Sequence, residues 1–175
     1  MTQEHGKVAA VCMSPEHGFP TRPQSFVSIG LLGIPGDAHS GEFRASFTRP
    51  GTLKHNDRPI SIVSDEVRRW ANAEFGLHMI HGDFNEQVVV EGLGDLGDIE
   101  VGTIITFDSG IVLEVVDHAY PCAQLEEHNG KGLIKALAAK GPDGVYSKRG
   151  ILCKVVEPGD LRAGNKITIH KQSSS

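Results

Sequence analysis

The sequence predicts a mainly β protein, a mixed or antiparallel β-barrel with a few helices packed outside it. Short apolar runs recur along the chain, and about eight of them have the length and alternation of strands. Glycine accounts for 21 of the 175 residues, above the usual share of roughly 7%, which favours many turns. Helical periodicity is confined to two segments, so most connections are short and parallel βαβ winding is disfavoured.

The predicted strands are rich in branched apolar residues and are bounded by glycine, proline or aspartate. They cover residues 7–13, 26–32, 58–63, 86–90, 101–107, 111–116, 150–156 and 166–169. Asp108-Ser109-Gly110 separates two of them as a three-residue hairpin loop that ends in glycine. Residues 37–44 are expected to form a polar, exposed loop, and the chain from 48 to 54 is expected to be irregular.

Two helices are predicted from apolar periodicity and capping residues. Ser64 is a favourable N-cap, and the acidic residues Asp65 and Glu66 suit the first turn. One apolar face then continues up to Gly76, which ends the helix; this face comprises Val67, Trp70, Ala71 and Phe75. Residues 133–138 predict a second helix, which Gly141-Pro142 would stop.

The length of 175 residues favours a single domain over residues 1–175, with its core at about 7–169 and a disordered tail at 171–175. A net charge of -5 argues against a nucleic-acid binder, which would carry a basic stripe. No apolar run reaches the roughly 18 residues of a membrane span, and the N-terminus has no signal-peptide pattern. We therefore expect a cytoplasmic protein without a membrane or nucleic-acid partner.

The three cysteines differ in their surroundings. Their number is odd and they form no Cys-x-x-Cys pair, so free thiols and no structural zinc site are expected. Cys12 and Cys153 lie within apolar runs and are expected in the core. Cys122 follows a predicted strand and Pro121, which cannot donate to a strand ladder, so the chain leaves the sheet there. This thiol is the predicted catalytic group.

A reactive thiol must ionise, so Cys122 needs a basic neighbour. The candidates are His118 and Arg149. In an extended segment His118 would lie about 13 Å from Cys122 at roughly 3.3 Å per residue, so a direct hydrogen bond requires Pro121 to bend the chain. The alternative is a thiol at a strand end without function.

Further polar residues could bind a substrate. Asp37 and His39 could share a metal, or the carboxylate could orient the imidazole, but no further ligands stand at a suitable spacing. The alternative is a local turn closed by the aspartate, with a surface histidine. Three arginines that stand beside glycine or loop residues could bind phosphate or carboxylate; they are Arg44, Arg58 and Arg149. After the 82–85 turn, Glu86 could supply a hydrogen-bond acceptor and Gln87 an amide.

Six segments, taken in order, together resemble the MOSC domain family, which is similar to the C-terminal part of eukaryotic molybdenum cofactor sulfurase and includes small stand-alone bacterial proteins. They are GIPGDAHSG at 33–41, RPISI at 58–62, GDFNEQV at 82–88, LGDIEVG at 96–102, Pro121-Cys122 and RGI at 149–151. The resemblance extends over about residues 7–169. Two departures are Gln87, where asparagine is common, and Asn165, in place of the usual aspartate of the last turn.

The resemblance implies a β-barrel in which the Pro-Cys cysteine, matched by Cys122, carries or receives sulfur for molybdenum cofactor or another metal-sulfur centre. Asp37, His39 and Arg149 match polar positions of the same cleft. The chain has no pyridoxal-phosphate domain or rhodanese-like module, so a separate donor such as a cysteine desulfurase is needed. Molybdenum cofactor (molybdopterin) or a molybdoenzyme is the expected ligand, substrate or partner, and no tightly bound cofactor is expected.

These observations lead to three hypotheses. In the first, the protein is a sulfurtransferase-like carrier that holds sulfane sulfur as a persulfide on Cys122. His118 or Arg149 would favour the thiolate, and the remaining polar candidates would position an anionic pterin. In the second, the domain binds molybdenum cofactor, Cys122 ligates the metal, and the reaction is reduction of N-hydroxylated compounds. In the third, it is a non-catalytic pterin-binding or partner-binding module.

Overall fold

The computed structural model describes residues 1–141 and 144–172. The first half of the chain contains β1 (Thr2–Met13), β2 (Arg22–Gln24), β3 (Val27–Ile29), β4 (Phe43–Ala45), β5 (Leu53–His55), β6 (Ile60–Ser64), α1 (Asp65–Phe75) and β7 (Val88–Glu91). The second half contains β8 (Ile104–Phe107), β9 (Val112–His118), α2 (Ala123–Asn129), α3 (Leu133–Leu137), β10 (Ala138–Gly141), β11 (Gly144–Ser147), β12 (Ile151–Glu157), β13 (Gly159–Leu161) and β14 (Lys166–Lys171).

Seven of the described strands close into a barrel in the order β14-β8-β9-β12-β6-β7-β1, and β1 pairs back with β14. The pair β6–β7 is parallel, and the other neighbouring pairs of the ring are antiparallel. The long β1 makes closure possible because its first half pairs with β14 and its second half with β7. The prediction of a mixed β-barrel with a few helices is confirmed.

The core has two parts, one inside the barrel and one between the barrel wall and the helices. β7 contributes to both, because successive side chains of a strand point to opposite faces. Val88 and Val90 belong to the inner cluster, whereas Val89 packs in the outer cluster with Val67 of α1 and Leu133 of α3. A strand that is buried on both faces has a continuous apolar run in its sequence, as β7 has in residues 88–90.

Several predicted elements differ from the structure. The strand predicted at 26–32 is the short β3, which pairs with β13 outside the barrel. α3 ends at Leu137 and Ala138 already begins β10, so the predicted stop at Gly141-Pro142 is wrong, and Pro142 itself lies outside the described residues. Lys171 pairs with Thr2 instead of beginning a disordered tail; residues 173–175 of that predicted tail lie outside the described part of the chain.

Other differences come from short or exposed elements. α2 and the β10–β11 hairpin were not predicted, and residues 43–45 and 53–55 form a hairpin where loops were expected. α1 begins at its predicted cap, since the Ser64 hydroxyl accepts the N–H of Val67. Trp70 is 38% exposed, although periodicity placed it on the buried face. The Lys148 ammonium lies 4.7 Å from the Trp70 ring, so that indole is covered by a cation and not by the core.

The loop at residues 82–87, before β7, is pinned by a buried carboxylate. The Glu86 carboxylate accepts the N–H groups of Gly82 at 2.7 Å and Phe84 at 2.9 Å. The Thr21 hydroxyl donates to the Glu86 carbonyl at 2.6 Å. Burial raises the pKa of Glu86 to about 7, although the backbone N–H donors act in the opposite direction. One side chain thereby satisfies two backbone donors that would otherwise be orphaned.

Gly82→Ala is expected to destabilise the protein by about 3 kcal/mol or more, because Gly82 has a φ of 98° and an added Cβ would meet the carbonyl of Thr21. Gly94→Ala is the matched control, with a φ of 65° and open space around the new methyl. It should cost only about 1–2 kcal/mol. Urea unfolding midpoints of the two variants measure the difference, and equal losses would contradict the close packing of Gly82.

The raised pKa of Glu86 predicts that stability falls as pH rises from about 4.5 to about 7, because the native state binds the proton more tightly than the unfolded chain in that window. A shift of this size corresponds to about 3 kcal/mol. Glu86→Gln is expected to remove that part of the pH dependence, measured as the free energy of unfolding at pH 5 and pH 8. The exposed Glu74→Gln is the control; an unchanged slope in Glu86→Gln would contradict the assignment.

Candidate functional site

Cys122 lies just past the end of β9, as predicted, and is the N-cap of α2. Its backbone is extended, with φ -131° and ψ 167°, and its carbonyl accepts the N–H of Leu125 at 3.1 Å. The residue is partly exposed, whereas Cys12 and Cys153 are buried and burial raises the pKa of both thiols. Of the three sulfur atoms, that of Cys122 is therefore the one a substrate can reach.

Arg149 provides the positive charge beside this sulfur. Its Nη1 donates to Sγ of Cys122 at 3.6 Å and to the carbonyl of Tyr120 at 2.7 Å, and its Nη2 donates to the carbonyl of Phe84 at 3.1 Å. The guanidinium carbon lies 5.7 Å from the centre of the Phe19 ring. Burial lowers the pKa of Arg149, while the charges of Cys122 and Glu86 oppose this effect. An arginine remains protonated in such a site, so the sulfur faces a fixed cation.

His118 does not share this contact. It is the last residue of β9, in register with Ile151 of β12, and its backbone N–H donates to the Asp117 carboxylate. Its Nε2 is buried and has no hydrogen-bond partner within residues 1–141 and 144–172. Of the two neighbours that the sequence suggested for Cys122, the structure brings Arg149 into hydrogen-bonding contact with Sγ.

Asp37 and His39 form a carboxylate-imidazole pair. Asp37 Oδ1 lies 2.9 Å from His39 Nδ1 and accepts the His39 backbone N–H at 2.8 Å, while Oδ2 accepts the N–H of Ser14 at 2.9 Å. Burial alone would raise the pKa of Asp37, but these hydrogen bonds outweigh it and hold the pKa below its ordinary value. The local turn is present, yet the expectation of an exposed polar loop is wrong here, because Asp37 is only 4% exposed.

Gln87 and Asn85 also contact the imidazole, at Nδ1 and Nε2 respectively. Gln87 Oε1 accepts both the N–H and the hydroxyl of Ser61 at 2.9 Å, which turns Nε2 towards His39 Nδ1 at 3.0 Å. Asn85 Nδ2 lies 3.1 Å from His39 Nε2, and the buried Asn85 Oδ1 has no partner in the described chain. Asn85 adopts φ 64°, a conformation that asparagine tolerates better than most residues. Sequence reasoning did not single out Asn85.

The 82–87 loop connects the two halves of the site. Its Phe84 carbonyl binds Arg149, and its Asn85 and Gln87 side chains bind His39. Its Asp83 carboxylate also binds Nε2 of His128, on α2, at 3.0 Å. His128 was not predicted either, since nothing in its local sequence distinguishes it from a surface residue of an amphipathic helix.

The remaining predicted residues lie in protein-internal contacts. Arg44 and Arg58 both bind Asp57, at 3.1 and 3.4 Å, and Arg58 also binds Asp117 at 2.9 Å. No contact among the described residues joins this network directly to Arg149. Both oxygens of Glu86 are occupied by backbone N–H groups, so this side chain shapes the loop.

Each of the three candidate guanidinium groups binds protein oxygens. Two surface grooves, of about 560 and 200 Å³, are lined by other residues. In the described chain no three His, Cys, Asp or Glu side chains are placed to hold a metal ion. None of the described helices is long and apolar enough to span a bilayer.

Comparison with known proteins agrees with this architecture. The family model of the MOSC domain matches residues 36–168. YuaD of Bacillus subtilis, whose name proposes a role in metal-sulfur cluster biosynthesis, is 28% identical over 175 residues, with 94% of this chain and 90% of that protein covered. Its crystal structure superposes with a TM-score of 0.82 at 26% identity, over 98% of this chain and 99% of the other.

A more distant structure shares the fold alone. YiiM from Escherichia coli superposes with a TM-score of 0.61 at 17% identity, and the match covers 98% of this chain and 72% of YiiM. The family model spans most of the chain. The chain belongs to the MOSC domain family.

Proposed function

We propose that this protein carries sulfane sulfur as a persulfide on Cys122 and delivers it to molybdenum cofactor or another metal-sulfur centre. The observation that carries the proposal is that Cys122 is a partly exposed residue whose Sγ accepts from Nη1 of Arg149 at 3.6 Å. Membership of the MOSC family and the name of YuaD support a role in sulfur and metal-centre chemistry in general. The carrier step is our assignment to this cysteine.

The loading step is a thiol-persulfide exchange. The Cys122 thiolate attacks the outer sulfur of a donor cysteine persulfide, a new bond forms between Sγ and that sulfur, and the donor's sulfur-sulfur bond breaks. The donor cysteine leaves as a thiolate, and the proton stays on the transferred sulfur. Atoms and charge balance, and no external oxidant is needed, because Cys122 is oxidised to the persulfide as the donor cysteine is reduced to its thiolate. A donor such as a cysteine desulfurase supplies the persulfide, since Cys122 cannot generate one from cysteine.

Arg149 supports this step through its position. Because the carbonyls of Tyr120 and Phe84 orient the guanidinium, its charge is held at the sulfur without further ordering of the side chain. A partly buried cation at this distance stabilises an anionic sulfur, both as thiolate and as persulfide. The location of Cys122 at the end of β9 leaves it accessible to a second protein, as the exchange requires.

The Asp37–His39 pair is assigned to the acceptor side of the site. The carboxylate beside Nδ1 favours the tautomer with a proton on Nδ1, which leaves the lone pair on Nε2. Asn85 Nδ2 then donates to Nε2 of the ring, and Gln87 Nε2 donates to Oδ1 of Asp37 at 3.5 Å. Molybdenum cofactor enters this scheme as a substrate or cargo. An acceptor that incorporates the sulfur as sulfide needs two electrons, which an external thiol would supply.

Cys122→Ser is expected to abolish persulfide formation. After incubation with a cysteine desulfurase and cysteine, intact-mass spectrometry should show an increase of about 32 Da in the wild type and none in Cys122→Ser. The controls Cys12→Ala and Cys153→Ala should still gain the mass, since both thiols are buried. Loading of Cys122→Ser, or molybdenum held stoichiometrically by the purified protein, would contradict the carrier role.

Arg149→Met is expected to slow the reaction of Cys122 with polysulfide at pH 7 by about tenfold or more, the loss expected for a hydrogen bond to a charged group. Arg149→Lys should recover only part of the rate, because an ammonium cannot serve both carbonyls and the sulfur in one plane. Stopped-flow loading rates measure the effect. The exposed Arg162→Met serves as the control; a rate in Arg149→Met equal to that of the wild type would contradict the role of Arg149.

A further inference from the structure

Phe19 places an aromatic ring beside the guanidinium that faces the sulfur. It belongs to the connection between β1 and β2, residues 14–21, which we call the strap. The guanidinium carbon of Arg149 lies over this ring, 5.7 Å from its centre, which is within the range of a cation–π interaction. Phe19 and Cys122 are both partly buried and pack against the outer core cluster. The ring thus contacts the cation and shares its packing environment with the residue that carries the sulfur.

The same ring also packs on the helix that begins after Cys122. The ring centres of Phe19 and His128 are 5.8 Å apart, with their planes inclined at 38°. His128 is in turn held by Asp83, whose carboxylate lies 3.0 Å from Nε2 of the imidazole. Since His128 is on α2 and Cys122 is the N-cap of that helix, one phenyl ring touches both the cation and the element that positions the thiol.

Hydrogen bonds at both ends hold the strap in place. At its start, the N–H of Ser14 donates to the Asp37 carboxylate at 2.9 Å. At its end, the N–H of Thr21 donates to the carbonyl of Gly82 at 3.2 Å, and the Thr21 hydroxyl donates to the carbonyl of Glu86 at 2.6 Å. The ring of Phe19 is therefore carried by a segment that is fixed to the Asp37 carboxylate and to the 82–87 loop.

Arg149 has an aromatic neighbour where other arginines of this protein have a carboxylate. Arg44 and Arg58 are paired with aspartates, whereas within residues 1–141 and 144–172 no ion pair joins Arg149 to an Asp or Glu, and its donors go to two carbonyls and the sulfur. A carboxylate would neutralise the cation. A phenyl ring attracts the cation through its quadrupole and leaves the positive charge in full. The ring can therefore hold the guanidinium without weakening its effect on the sulfur.

We propose that Phe19 is a positioning residue of the sulfur site, which acts through Arg149 by holding the guanidinium at Sγ of Cys122. The proposal rests on the carrier function assigned above. The carbonyls of Tyr120 and Phe84 orient the N–H groups, and the ring limits the space into which the guanidinium can turn. Without the ring, water would solvate the cation and weaken its attraction for the thiolate, because the local dielectric would rise.

The test removes the ring and keeps an apolar side chain. Phe19→Leu is expected to slow alkylation of Cys122 by iodoacetamide at pH 7 by about threefold to tenfold. The midpoint of the rate–pH profile should move to higher pH, because the thiolate loses part of its stabilisation, and loading by inorganic polysulfide should slow by the same factor. Phe19→Tyr keeps the ring and should react as the wild type. Phe47→Leu is the matched control, since Phe47 is 87% exposed, and it should also react as the wild type.

A double-variant comparison measures whether the ring acts through the guanidinium. Phe19→Leu/Arg149→Met should react no more slowly than Arg149→Met alone, because the ring then has no cation to hold. Losses that multiply in the double variant would overturn the proposal. An unchanged alkylation rate and pH profile in Phe19→Leu would also overturn it, even if the urea midpoint fell, because the ring would then contribute to packing alone.

The positioning role and the carrier function fail in different experiments. If alkylation of Cys122 depends on Phe19 as expected, but neither polysulfide nor a persulfidated cysteine desulfurase loads the thiol, the carrier function is wrong and the positioning role stands. If polysulfide loads Cys122 equally fast in the wild type and in Phe19→Leu, the positioning role is wrong and the carrier function stands.

Discussion

The buried carboxylate of Glu86 is the constraint on which the site depends. By accepting the N–H groups of Gly82 and Phe84 it closes the 82–87 loop into one conformation. That conformation points the Phe84 carbonyl at Arg149 and the Asn85 side chain at His39. Any other conformation of the loop would leave the buried N–H groups of Gly82 and Phe84 without an acceptor, at a cost of several kcal/mol. The carboxylate therefore holds the loop in this conformation. One acidic residue thereby organises groups from three separate parts of the chain, which are the 82–87 loop, Arg149 and His39.

Arginine serves two different purposes in this protein. Arg149 has its donors divided between backbone carbonyls and one sulfur atom, so its charge is directed at Cys122. Arg44 and Arg58 instead neutralise the carboxylates of Asp57 and Asp117 and hold a surface hairpin against the barrel. In the sequence all three arginines stand beside residues typical of loops. Only their partners in the fold distinguish Arg149, in the candidate site, from Arg44 and Arg58, which make ion pairs at the hairpin.

The local sequence is sufficient to predict a structural feature when neighbouring residues alone cause that feature. Pro121 ends the strand before Cys122 whatever the rest of the chain does, and the apolar runs around Cys12 and Cys153 bury those thiols. The β4–β5 hairpin overlaps the segments 37–44, for which a polar loop is expected, and 48–54, for which an irregular chain is expected. Its strands are short and its apolar face is exposed, so the usual alternation of buried and exposed positions carries no signal there.

Local patterns in the sequence are enough to predict the strand-rich architecture, the two buried thiols and the exit of the chain at Cys122, because apolar alternation and proline geometry act over a few residues. The contact of Arg149, rather than His118, with the sulfur, and the contacts of Asn85 and His128 with the candidate site, come from the three-dimensional fold. Those contacts cross long stretches of chain, and closure of the barrel, which pairs β1 with β14, brings such distant segments together. Side-chain partners at that separation leave no periodicity in the sequence, since they depend on where the backbone places each residue in space.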